Sequence, residues 1–226
     1  MESVAYVIAE HRDLNGELLS PHIAAVEVLN VIRPIVAAAV YITFVAHALH
    51  HHPECRSKLE AGDDGSYLEL FVQEVRRFYP FFPAVAALVR RDLEWRGYQF
   101  PSGRRVILDL YGTNHDASTW DAPEAFRPER FSDWDGSAFN FIPRGGGDHD
   151  MNHRCPGEWI TVGLMKQAAG VLSRHVKYDV PEQDLRIDVS RLPALPPKPI
   201  NFRSSDMYGR PPLGKDFWCA IDCIQQ

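Results

Sequence analysis

Cys155 stands in the stretch His153-Arg154-Cys155-Pro156-Gly157-Glu158-Trp159, behind the glycine run Gly145-Gly146-Gly147. Directly after it, apolar residues at Ile160, Leu164, Ala168 and Leu172 recur at helical spacing and predict a helix from Glu158 to Val176. A sulfur just ahead of a helix faces unpaired amides and the positive end of the helix dipole, which favour an anion. That setting lowers a thiol's pKa and holds it as thiolate. Gly157 removes a side chain close to the sulfur, so a flat ligand or another backbone can approach. A thiolate displayed in this way serves as a nucleophile, a redox thiol or a metal ligand. The alternative is a small buried hydrophobe.

A second candidate lies in Asn30-Val31-Ile32-Arg33-Pro34-Ile35. The segment from His22 to His52 predicts a long helix, apolar on nearly all faces and therefore buried. A guanidinium there is costly unless paired. Glu27, the nearest acid upstream, faces elsewhere at about 100° per residue. Arg33 must meet a distant carboxylate or the anion of a ligand, and Pro34 opens the helix beside it. A rival metal site is spelled by His47, His51 and Cys55 at i, i+4 and i+8, with Cys219 and Cys223 again four apart. Against zinc stand Pro53, which breaks the helix before Cys55, and the lack of any CxxC pair. Histidines at a helix C-terminus also complement its dipole with no metal.

Other elements must hold these groups. Residues 1–12 read as helical and 13–21 as a turn. A loop at 61–65 leads into a helix from Ser66 to Phe78, ended by Pro80. Two or three short strands follow, with a turn at Pro101-Ser102-Gly103. From Thr113 to Asp150 the chain is irregular, and so long a loop in a compact domain is a sign of function. The aromatic run Phe78, Tyr79, Phe81 and Phe82 reads as core packing before pocket lining. The 226 residues carry a net charge of −6 and are 45% hydrophobic, enough for a real core. The acidic balance, with no basic patch, excludes a nucleic-acid binder. Four cysteines, unevenly spaced, are no disulfide scaffold, and the N-terminus carries no signal-peptide pattern; both imply a reducing, intracellular, cytoplasmic setting. The most apolar run, Ile35–Ala46, is too short to cross a membrane, so no transmembrane segment is expected.

Three motifs in order carry a resemblance: Glu74-Val75-Arg76-Arg77, then Phe126-Arg127-Pro128-Glu129-Arg130-Phe131, then the loop from Phe141 to Cys155-Pro156-Gly157. The chain resembles the C-terminal half of a cytochrome P-450, the haem-thiolate family. The resemblance implies a mainly α fold with small β-sheets. It implies a single partial domain over 1–226 lacking the N-terminal half, a central helix at 22–52 and a haem-binding loop at 141–157. Cys155 would be the axial thiolate of haem b (iron protoporphyrin IX), a ligand that pushes electron density toward O–O cleavage. Phe141, Gly146, His153, Arg154, Pro156 and Gly157 would frame that cofactor. Glu74, Arg77 and Arg130 would form a structural ion-pair network, and Arg154, Arg90 or Arg91 would meet the haem propionates.

Two departures point to a branch of the family. Where most members carry an acid followed by threonine in the central helix, this chain reads Arg33-Pro34, and its haem loop is long. Both features resemble the fatty-acid peroxygenases. In that branch the arginine binds the substrate carboxylate, which supplies the acid–base function, and hydrogen peroxide replaces oxygen and a reductase. The resemblance thus implies 2- or 3-hydroxylation of long-chain fatty acids, or decarboxylation to a terminal alkene, without a reductase partner. Family members are roughly twice this length, so the chain reads as a fragment or a shortened relative, whose apolar helix faces would aggregate unless covered. Two other readings stay open: a reductase- and oxygen-dependent monooxygenase, and an inactive haem-binding remnant.

Overall fold

A computed structural model describes residues 3–62, 65–152 and 154–204. His153, Cys219 and Cys223 lie outside the described residues. Among the described residues the fold is mainly helical with three two-stranded antiparallel sheets.

Helix α1 covers Val4–Glu10, and the long α2 covers Pro21–His51. Ser20 caps α2 by accepting the Ile23 amide, and Pro21 sits at its first turn, where a missing N–H costs nothing. The helix runs unbroken through Pro34. It stops at His51 because Pro53 cannot continue it. Pro53 instead opens α3, Pro53–Ala61, a helix the sequence reading passed over. Helix α4, Ser66–Phe78, begins at Gly65, whose φ of 94° is open to glycine at no steric cost. It ends where Tyr79, as the residue before Pro80, takes extended backbone.

Strands β1 (Ala84–Leu88) and β4 (Arg105–Asp109) pair with Ala84 opposite Asp109. Strands β2 (Leu93–Trp95) and β3 (Tyr98–Phe100) form a tight hairpin between them. A short α5, Leu110–Asn114, follows, and the irregular stretch after it holds one 3-10 turn, Pro128–Phe131. Helix α6 covers Glu158–Arg174, and β5 (Tyr178–Asp179) pairs with β6 (Arg203–Ser204).

The core lies where the C-terminal half of α2 crosses α4 and α6. Tyr41, Phe44, Val45, Ala48 and Leu49 meet Phe71, Val72 and Val75 of α4 and Val162, Met165 and Ala169 of α6. Each such side chain contributes about 1.5–3 kcal/mol on leaving water. Tyr79 and Phe81 belong to this core: Tyr41 stacks on Phe81 at 4.4 Å and Phe44 on Tyr79 at 4.8 Å. A satellite cluster of Trp120, Phe131 and Phe141 organises the irregular stretch.

Two expectations about helix faces are corrected. The buried stripe of α6 is Thr161, Val162, Met165, Ala168 and Ala169, whereas Ile160 is 72% exposed and Leu164 is exposed too. Helix α2 is not buried throughout. Its described buried residues begin at Ala38, and Leu29, Ile32, Ile35 and Val36 are all exposed. By length and composition alone α2 is long and apolar enough to cross a membrane. The 12-residue run Ile35–Ala46 therefore understated it. Its packed C-terminal half is what a core helix also displays.

Candidate functional site

The loop of Phe141–Gly157 is anchored at both ends. Phe141 is buried against Trp120, Phe131 and Trp134. The Ile142 amide donates to Asn114 Oδ1 at 2.9 Å, which ties the loop to α5. Gly146 is required by space: a Cβ there would come within 2.6 Å of Ile142 Cγ2 and 2.9 Å of the Ala138 carbonyl. Gly147 has φ of 85°, and a Cβ would collide with Asn152. At the far end the Glu158 amide donates to the Cys155 carbonyl at 3.2 Å, starting α6.

Cys155 is a free, half-buried thiol immediately ahead of α6. Arg144 donates to its sulfur from Nη2 at 3.0 Å. Pro156 is exposed and Gly157 half-buried. A Cβ at Gly157 would stand 3.8 Å from Sγ, an ordinary contact. Cys55, the other free cysteine among the described residues, is a different environment. It is buried in the core, and burial pushes its thiol up to about 11.

Beside the sulfur sits a charged cluster. Glu158, at the first position of α6, accepts from Arg154 Nε at 2.8 Å and Nη2 at 3.0 Å, and pairs with buried Arg76 of α4. Arg154, expected at a haem propionate, is thus committed to Glu158, while Arg90 and Arg91 are exposed. Burial alone would raise the Glu158 carboxyl, but the Arg154 hydrogen bonds and the Arg76 charge outweigh it and hold it at about 2, against an ordinary 4.5. A carboxyl lowered by folding stabilises above its unfolded value, and that stability is lost as pH falls toward the folded one. Urea midpoints measured between pH 6 and pH 2 are expected to drop more steeply for the natural chain than for Glu158→Gln. The difference should be confined to about pH 4.5 down to about 2. Parallel curves would contradict it.

Behind the loop, Glu74 and Arg77 of α4 are fully buried. Arg77 grips Glu74 with Nε at 2.7 Å and Nη2 at 2.8 Å, and donates from Nη1 to the Asn114 carbonyl at 2.9 Å. Arg130, from the 3-10 turn, reaches Glu74 at 3.2 Å and donates to the Asp121 and Ala125 carbonyls at 2.6 and 2.9 Å. The Arg127 amide donates to Glu74 at 2.7 Å. One carboxylate therefore collects two guanidiniums and a backbone amide. Its partners fasten the irregular stretch to α4.

Arg33 is not the buried cation the sequence suggested. It lies with Pro34 on the exposed half of α2 and donates from Nη2 to Asn30 Oδ1 at 3.4 Å. No ion pair holds it among the described residues. The rival zinc site does not assemble either. Both ring nitrogens of His47 are engaged, with Tyr79 Oη at 2.8 Å and the Leu185 carbonyl at 2.9 Å, and Cys55 is sealed in the core. Among the described residues no group of three His, Cys, Asp or Glu could hold a metal. Sequence reasoning missed Arg144, Arg76 and Glu158 as partners around the sulfur. Arg76 was visible only as the first arginine of Arg76-Arg77, and nothing local marked Arg144.

The family model for cytochrome P450 matches residues 53–203. The solved structure of cytochrome P450SP alpha in complex with (R)-ibuprophen is 64% identical at a TM-score of 0.75, over 85% of this chain and 47% of that one. Cytochrome P450EX alpha, solved with myristic acid, is 51% identical at a TM-score of 0.74, over 84% and 47%. Among curated proteins, cytochrome P450 71A8 of Mentha piperita is 29% identical over 178 residues, 70% of this chain and 35% of that protein. The chain spans about half the length of the solved relatives it matches and about a third of that curated one. With the Glu74–Arg77–Arg130 cluster and the Cys155 loop in place, the extent of the family match identifies the chain as a member of the cytochrome P450 family.

Proposed function

We propose that the chain is the haem-binding half of a fatty-acid peroxygenase, hydroxylating or decarboxylating long-chain fatty acids with hydrogen peroxide and without a reductase. Its setting would be the cytoplasm, where free Cys55 and Cys155 stay reduced. The observation that carries this reading is the 51% identity to a relative solved with myristic acid, in a chain whose Arg33 meets no carboxylate among the described residues.

Membership of the family implies a haem cofactor, and the residues present fit one. Cys155 offers a free sulfur outside the apolar core, already facing a cationic donor. Gly146 and Gly147 hold the loop in a path no other residue would allow. Phe141, Gly146, His153, Arg154, Pro156 and Gly157 would frame haem b, with Cys155 as its axial ligand. When bound, the haem supplies the activation of peroxide and the oxidation of a C–H bond. Glu74, Arg77 and Arg130 hold the loop's support and do no chemistry.

Arg33 and Pro34 have the other task. Arg33 would hold the fatty-acid carboxylate in a two-point, charge-assisted hydrogen bond. That fixes the chain direction, so the carbons nearest the carboxylate are presented for reaction. The same carboxylate would take a proton from one peroxide oxygen and return it to the other as water leaves, the acid–base work that an acidic side chain does elsewhere. Pro34 leaves the Asn30 carbonyl without its helical donor, although α2 runs on unbroken. The balance is fatty acid plus hydrogen peroxide giving hydroxy acid plus water.

The test uses the purified full chain loaded with haem. Myristate affinity, read by spectral titration, is expected to fall about 10–100-fold in Arg33→Ala, the size of a lost charged hydrogen-bond pair. Unchanged affinity, with turnover supported by NADPH and a reductase but not by peroxide, would move the chain to the monooxygenase reading.

A further inference from the structure

We propose that Arg144 is a positioning residue for the Cys155 sulfur, donating a charged hydrogen bond that limits how strongly the thiolate pushes electrons toward iron. This rests on the reading of Cys155 as axial ligand.

The geometry is specific. Arg144 Nη2 lies 3.0 Å from Cys155 Sγ, short for an N–H donor to sulfur. The guanidinium is held from three other sides. Nη1 donates to the Thr161 hydroxyl, which itself donates to the Gly157 carbonyl at 2.9 Å and so is fixed to the first turn of α6. The guanidinium carbon sits 5.4 Å from the centroid of the buried Tyr41 ring and 5.9 Å from that of Phe81, within cation–π range of both. A side chain clamped by a hydroxyl and two rings has little freedom to turn away from the sulfur.

Charge accounting points the same way. The nearby anion, Glu158, is already matched by Arg76 and Arg154. Among the described residues Arg144 enters no ion pair with a carboxylate, so its charge is available to the sulfur. Hydrogen bonds to a ligating sulfur withdraw electron density and favour the reduced metal. Arg144 therefore raises the reduction potential above what a bare thiolate would set, and a charged donor does so more than a neutral one.

The experiment compares the natural chain with Arg144→Lys, Arg144→Gln and Arg144→Met, each loaded with haem. The reduction potential is expected to fall in the order Arg, Lys, Gln, Met. The infrared C–O stretch of the carbon-monoxide adduct should fall in the same order, because a stronger push from sulfur weakens the C–O bond. Equal potentials in Arg and Met chains that both show a thiolate-type band would overturn the proposal while leaving the ligand assignment standing. A natural chain with no such band would overturn the haem reading itself. The contact can then be judged in the haem-free chain by nitrogen-15 NMR of the arginine side chains. Cys155→Ala should shift the Arg144 Nη resonances, and no shift would remove the contact as well.

Discussion

Glu74→Ala is expected to abolish cooperative folding. The carboxylate is fully buried and is shared by Arg77, Arg130 and the Arg127 amide. Removing one partner of a buried ion pair costs about 3–5 kcal/mol, because the charge left behind stays desolvated. Here the residue left behind is a fully buried Arg77, with Arg130 beside it, and the amide of Arg127 loses its acceptor as well. Domains are stable by only about 5–15 kcal/mol in total, so the loss takes a large share of the margin. Urea unfolding followed by circular dichroism is the measurement. Glu129→Ala is the control: its pair with Lys58 is exposed, and such pairs contribute about 1 kcal/mol or less. If Glu74→Ala unfolded with the same midpoint as Glu129→Ala, the carboxylate would not be what fastens the irregular stretch to α4.

The two clusters differ in how far the sequence could lead to them. Helix α4 was legible to the residue, since Gly65 and Pro80 punctuate it and its charges sit on a helical repeat. The central helix was legible as a long apolar run, while the mainly α class came with the resemblance. Helix α3 was not, because Pro53 was read as a stop when it was also a start. On α6 the periodicity was right, and Ala168 and Leu172 pack on the core as read, but Ile160 and Leu164 face outward. Which side of the repeat meets the core is a tertiary matter, and the buried stripe runs through Thr161, Val162, Met165 and Ala169 instead. Arg33 was misjudged by the matching logic. Apolar neighbours were read as burial, but burial depends on what packs against a helix, and the buried residues of α2 all lie in its C-terminal half. Arg144 and Glu158 escaped because their meaning lies in contacts that join residues 11 and 82 positions apart, which no local pattern records.

The thiol at Cys155 is the other position where one substitution should decide the function. Cys155→Ala, loaded with haem, is expected to lose the strongly red-shifted Soret band of the reduced carbon-monoxide complex, together with peroxide-driven turnover of fatty acids. Cys55→Ala should keep both. The contrast follows from environment. The Cys55 thiol is sealed among α2, α3 and α4 residues, and burial pushes it up to about 11, so it stays protonated and inert. The Cys155 sulfur lies at the start of α6 and accepts from Arg144, so an anionic sulfur there has a donor waiting. Folding separates this loss from that of Glu74→Ala. Cys155 touches none of the Glu74 cluster's described hydrogen bonds, so its alanine variant should unfold in urea within about 1 kcal/mol of the natural haem-free chain. A folded Cys155→Ala chain that still gave the red-shifted band would require another sulfur at the iron. A folded chain with only a histidine-type band would mean that Cys155 alone supplies the thiolate.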